Sequence, residues 1–128
     1  MRAKRVNWVN GIHYEQIVPS EHDGMKYRLL CEMVHRGPHG LTKTMPQGRK
    51  SDGATYALDL DPEAFFTHDE FCRFPFWDEG TPISNWGASR EYKKILERNG
   101  HKIRGPIRFY ATFLFGGSRI KKVNGWFN

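Results

Sequence analysis

Cysteine is scarce in this chain of 128 residues, where only Cys31 and Cys72 occur. Two cysteines do not make the disulfide framework of a small secreted domain, so both are expected to be reduced and buried. No apolar run approaches the roughly 20 residues that cross a bilayer as a helix. The basic opening of Arg2, Lys4 and Arg5 is not followed by the apolar core of a signal peptide, and none is predicted. Internal repeats, low-complexity tracts and linkers are lacking as well. What remains is the expectation of one domain over residues 1–128, long enough to bury a core.

Charge and aromatics are plentiful. Lysine and arginine number 20 against 14 acids, a formal charge of +6 that suits an acidic partner. The cations are scattered, with small groups at Arg2–Arg5, Arg49-Lys50, Lys93-Lys94 and Arg119–Lys122. Without a stripe or a known reader motif, nucleic acid is an allowed partner but not the favoured one. Aromatic residues make up 14% of the chain, and Phe74, Phe76, Trp77, Trp86, Trp126 and Phe127 fall in polar loops or the tail. Such area either folds back on the core or is covered by a partner, which leans the reading toward an assembled protein.

The pattern predicts an α+β fold, a small N-terminal antiparallel β-meander packed on about three helices. Residues 1–10 read as a polar lead, 11–60 as mainly β, 61–118 as mainly helical and 119–128 as a basic, aromatic tail. Strands are expected over 12–18, 26–35 and 41–45, with Asp23-Gly24 as the tightest point of the first turn. In the second strand Tyr27, Leu29, Cys31 and Met33 alternate with Arg28, Leu30, Glu32 and Val34, which implies cover on both faces. Residues 46–53 are turn chemistry, and 54–58 fit either a strand or the approach to a helix.

The first helix spans 61–74. Asp61 suits the N-cap, Pro62 the first turn, and Pro75 stops it. Ala64, Phe65, His68, Phe71 and Cys72 share one face at helical spacing. A second helix runs from Ser84 or Ser89 to Asn99, burying Ala88, Tyr92, Ile95 and Leu96, with Gly100 beyond its end. Glu91 reads as part of its solvated side. Residues 106–115 are apolar on both periods; Pro106 and Gly116-Gly117 favour a third helix.

His68-Asp69 is the first candidate site. A histidine beside a carboxylate can act as general base, with Asp52 or Asp69 orienting it. Asp52, His68 and Asp69 can equally be read as ligands of a divalent cation. A third reading has His68 bonded to Asp52 as a latch between loop and helix. Cys31-x-x-x-His35 with His68-x-x-x-Cys72 offers a zinc set. Four residues of strand span ~13 Å, so Cys31 and His35 reach one ion only across a break. The run from Gly48 to Gly53 has glycines and cations but no Walker spacing, so it reads as an exposed turn.

The order of several motifs is similar to a phage- and prophage-borne family, domain of unknown function 1353. The motifs are Pro46-Gln47-Gly48, Asp52-Gly53-Ala54-Thr55, His68-Asp69, Gly80, Tyr92 to Leu96, Gly100, and Phe109 to Gly117, over roughly residues 26–118. The resemblance implies a β-meander before three packed helices and a polar cluster of Asp52, His68 and Asp69. The chain departs from the pattern in three places: Tyr56-Ala57 follow Thr55 where a proline is usual, Cys72 replaces an aromatic, and Ser89 stands where an acid opens the second helix. His-Asp on a helix also looks like secreted phospholipases A2, in which the histidine activates water and the aspartate holds calcium, although their disulfides are lacking here.

Two functions are therefore expected. One is a virion-associated structural protein, such as a tail or baseplate part, with the His-Asp cluster kept as a latch. The other is a small hydrolase of an envelope ester or amide, dependent on His68, Asp69 and Asp52, with or without a divalent metal. The partners implied are other phage proteins, and the location is the host cytoplasm during assembly and then the virion.

Overall fold

The computed structural model describes residues 5–9, 11–18, 24–52, 61–100 and 118–126. The architecture is α+β, as the hydrophobic pattern predicts. Strands β1 (Arg5–Val9) and β2 (Ile12–Gln16) form an antiparallel hairpin, in register from Arg5↔Gln16 to Val9↔Ile12. β3 (Tyr27–Leu29) pairs with β2 through Tyr14↔Leu29. β6 (Lys50–Ser51) closes the order β1-β2-β3-β6 through Tyr27↔Ser51. β4 (Met33–Arg36) and β5 (Thr42–Met45) make a separate two-stranded sheet, in register from Met33↔Met45 to Arg36↔Thr42. Three helices are described: α1 (Pro62–Arg73), α2 (Asn85–Arg98) and α3 (Ser118–Asn124).

Several details differ from the sequence-based expectation, among them the strand β6 inside the supposed turn over 46–53. The supposed lead contains β1. The expected strand over 26–35 bends at Leu30 and Cys31, so β3 and β4 enter different sheets. Its alternation survives the bend: Tyr27, Leu29, Met33 and His35 are all buried. Its second face is not covered, since Val34 is 41% exposed. Part of the supposed tail is α3, whose Ile120 is fully buried. The readings of 54–58 and of a helix over 106–115 lie outside the described residues.

α1 begins and ends as its residues dictate. The Asp61 side chain accepts the Ala64 N–H at 3.1 Å, Pro62 occupies the first turn, and Phe74 caps the end just before Pro75. The helix touches three apolar clusters. Phe65 and Phe66 pack on the sheet residues Ile12, Tyr27, Leu29, Met33 and Met45. Phe71 packs with Trp77, Ile83, Ala88 and Ile120, and Ala64 with Tyr92, Ile95 and Leu96. Ala64 thus meets the end of α2 and Phe71 its start, so the two helices run antiparallel. That places the α2 C-terminus beside the α1 N-terminus: Asn99 Nδ2 donates to Asp61 at 2.8 Å and to Glu63 at 3.0 Å. Gly100, at φ 96°, turns the chain away as a helix-terminating residue should.

At its other end α1 is held by Lys43 of β5. The side chain is buried, and Nζ donates to the carbonyls of Phe74 at 2.7 Å and Phe76 at 2.5 Å, over the face of Phe71. A cation at these carbonyls complements the negative helix end. Asp78 ties the following loop to β5, accepting from Thr44 N–H at 2.9 Å and from the hydroxyls of Thr42 and Thr44.

Trp77 turns inward from the same loop and stacks on His35 and edge-on to Phe71. The close approach requires Gly37: a Cβ there would lie 2.2 Å from the indole Cη2. The indole is wedged between rings and has little room to yield. Gly37→Ala should therefore lower stability by about 1–3 kcal/mol, read as a drop in the urea midpoint without change in slope.

Candidate functional site

The polar residues of α1 lie between hydrophobic contacts, and its acids Asp69 and Glu70 meet partners elsewhere in the fold. Asp69 reaches the end of β6. Ser51 Oγ donates to its Oδ2 at 2.5 Å, and the Asp52 N–H donates to the same oxygen at 3.2 Å. Burial raises the Asp69 pKa to about 8, helped by the like charge of Asp52 and a hydrogen bond between the two side chains; Ser51 and Arg73 pull it down only in part. At neutral pH Asp69 is protonated and can share that proton with Asp52.

His68, one residue earlier, is half-buried. Its ring meets Tyr92 edge-on at 5.5 Å. Burial lowers its pKa to about 4, and the charge of Asp52 offsets only part of this. The imidazole is neutral at pH 7. Cys72 Sγ, one turn further on, lies 3.5 Å from Nδ1 and 4.0 Å from Nε2. A sulfur nearly equidistant from both nitrogens is on the lone-pair axis of neither, so this is a packing contact and not an aligned thiol–imidazole pair.

The structure thus brings Asp52, His68 and Asp69 together as the sequence suggests, with one difference in wiring. Asp52 engages Asp69 directly and acts on His68 only through its charge. Ser51, which sequence reasoning passed over, makes the shortest bond of the cluster. Its hydroxyl next to Asp52 in a turn carries no distinctive signal.

Glu70 points the other way. It is buried, faces Arg49 Nε at 2.8 Å, and has Lys43 and Arg73 nearby. Burial still leaves its pKa raised despite these cations. Arg49 also lies over the Phe74 ring, so this cation of the 48–53 run is engaged within the fold and does not line an open phosphate cradle.

A second buried polar pair was not foreseen. His35 Nε2 of β4 lies 2.9 Å from Glu91 Oε1 of α2, and both side chains are almost completely buried. Burial would raise the Glu91 carboxyl, but the His35 hydrogen bond and the nearby Lys94, 3.2 Å away, hold it below its ordinary value. The usable signal was position: Glu91 sits three residues after Ala88 and four before Ile95, inside the buried stripe of α2. Ser89 is buried, and of the two acids of this helix, Glu91 and Glu97, it is Glu91 that is buried. His35 is therefore committed to Glu91 and not to a zinc set with Cys31, His68 and Cys72. Among the described residues no three His, Cys, Asp or Glu side chains are placed to hold a metal ion. Asp52, His68 and Asp69 are neighbours without forming such a group.

Comparison of the chain with protein-family models, with curated proteins and with solved structures finds no match.

Two outcomes follow from these clusters. Glu91→Ala strands the His35 ring in the core and should cost about 3 kcal/mol in urea unfolding. The pH dependence of stability has two opposing parts. Asp69 binds its proton up to about pH 8 when folded but only to 3.8 when unfolded, so its contribution declines as pH rises through that window. His68 is lowered from 6.5 to about 4, so its contribution is full above 6.5 and lost as pH falls toward 4. The two slopes oppose each other between about 4 and 6.5, and from 6.5 to about 8 the decline due to Asp69 is no longer offset by His68. In Asp69→Asn the upper decline should vanish and a rise from His68 should emerge below it, measured as urea midpoints across the range.

Proposed function

We propose that this chain is a non-catalytic component of a phage particle, a tail or baseplate part or similar assembly element, in which the Asp52, His68 and Asp69 cluster is a latch. The observation that carries this reading is that the cluster is satisfied from within. One oxygen of Asp69 takes both donors that Ser51 and Asp52 offer, and these groups tie β6 to α1. His68 is packed on Tyr92 and Cys72. A general base needs an aligned lone pair facing a substrate proton, and the contacts of His68 are those of a packed side chain.

The surface supports the assembly half of the reading. Trp77 folds inward, but Phe74, Phe76 and Trp126 stay 49%, 39% and 42% exposed. Large aromatic area held at a surface is what protein interfaces bury. The phage context rests on the order of motifs that resembles domain of unknown function 1353. Other particle proteins are then the partners, and the host cytoplasm followed by the virion is the location.

One observation favours the hydrolase as a second reading. Asp69 and His68 are adjacent groups pushed apart in pKa, to about 8 and about 4, an acid and a base both in working form at neutral pH. The test separates the two. Mass spectrometry of particles from an induced host should find the chain at fixed copy number, and purified protein should leave aryl ester and amide substrates intact. Absence from particles, with hydrolysis that His68→Gln abolishes, would replace the latch by the hydrolase.

A further inference from the structure

A strongly charged region lies apart from the polar clusters of α1, where α3 docks on the start of α2. Its geometry is fixed by the backbone. The N–H groups of Asn85 and Trp86, at the first positions of α2, donate to the carbonyls of Gly125 at 3.1 Å and Trp126 at 2.8 Å. Asn124 Nδ2 donates to the carbonyls of Pro75 at 2.7 Å and Ile83 at 3.0 Å. The backbone at Trp126 is therefore fixed against the start of α2, and its side chain remains exposed.

Lys121 Nζ lies 3.9 Å from the centroid of the Trp126 ring, and Lys122 beside it is exposed. On α2, Trp86, Arg90, Lys93 and Lys94 follow at spacings of four, seven and eight, which places them along one side of the helix. Arg90 and Lys94 are exposed, and Trp86 and Lys93 half-buried. Of the acids on α2, Glu91 is buried with Lys94 at 3.2 Å and Glu97 faces Lys93 at 3.4 Å, while the surface adds the exposed Arg90 and Lys122. The surface joins cations to two indoles on a chain of net charge +6.

We propose that this face of α2 and α3 binds single-stranded nucleic acid. Lysine and arginine neutralise phosphates along the strand, while an exposed indole offers a stacking surface to an unpaired base. A duplex keeps its base faces closed and cannot use the indole in this way. An anionic membrane would want an apolar helix face to insert, and among the described side chains of α3 the apolar one, Ile120, is sunk in the core. This inference is independent of the latch, since it uses none of the α1 cluster.

The test is fluorescence anisotropy with a labelled thymidine oligonucleotide of about 16 nucleotides. Binding should weaken with salt, and the double variant Lys121→Glu, Lys122→Glu should weaken it by at least about tenfold. Trp126→Ala should weaken it by roughly fivefold or more, with little change in salt slope. Circular dichroism and urea midpoints establish that the variants remain folded. The control Lys26→Glu, Arg36→Glu, which changes the charge equally on the sheet side, should stay near wild type. An equal loss in that control would reduce the effect to net charge and overturn the proposal. So would equal or tighter binding to a duplex of the same length, binding only to vesicles rich in phosphatidylserine, or no binding to the oligonucleotide at low salt.

Discussion

The enclosure of α1 is the constraint on which the rest depends. A helix that contacts three apolar clusters has no free side for its polar residues, yet this one carries Asp61, His68, Asp69 and Glu70. Buried polar groups are costly unless paired. The three acids therefore recruit neighbours, Asn99 for Asp61, Ser51 and Asp52 for Asp69, and Arg49 with Lys43 for Glu70, while His68 is packed neutral against Tyr92 and Cys72. The segments that supply these partners are the turn and strands before the helix and the end of the helix after it. Pairing at α1 thus ties together the described segments on either side of it, and the candidate site is one part of that pairing.

The electrostatics of the interior follow the same logic with different outcomes. Where a cation or a good donor arrives, the acid stays ionised despite burial, as Glu91 does with His35 and Lys94. Where a second carboxyl arrives instead, the proton is retained, as at Asp69 with Asp52. Two carboxyls side by side cannot both carry charge cheaply in a poorly solvated place. The same features that make this pair resemble a reaction centre also make it a workable hydrogen-bonded clasp. The alignment of its donors and the packed surroundings of His68 favour the clasp.

Much of the helical part was legible in the residues. Asp61, Pro62 and Pro75 bound α1, and Ser84, Asn99 and Gly100 bound α2, because caps and breakers act over three or four residues. Of the cluster of Asp52, His68 and Asp69, only the adjacent His68-Asp69 pair could be read from the residues themselves; the approach of Asp52, 17 positions from Asp69, leaves no periodic trace. The bend at Leu30 and Cys31 was not, since an alternating pattern continues unchanged across a change of strand direction. His35 with Glu91, separated by 56 positions, and the buried Lys43 were equally hidden. Long-range pairs of this kind leave no local trace, and a charged residue in sequence looks solvated until the fold closes over it.

The grip of Lys43 on the carbonyls of Phe74 and Phe76 has a further consequence. An amine shut inside a domain is sheltered from acylating reagents that reach only water-exposed lysines. Its labelling is possible only in moments when the β4–β5 hairpin lifts from the end of α1. The rate at which that one nitrogen becomes modified is thus a natural clock for breathing of the domain, set by the seam between its sheet and its helices.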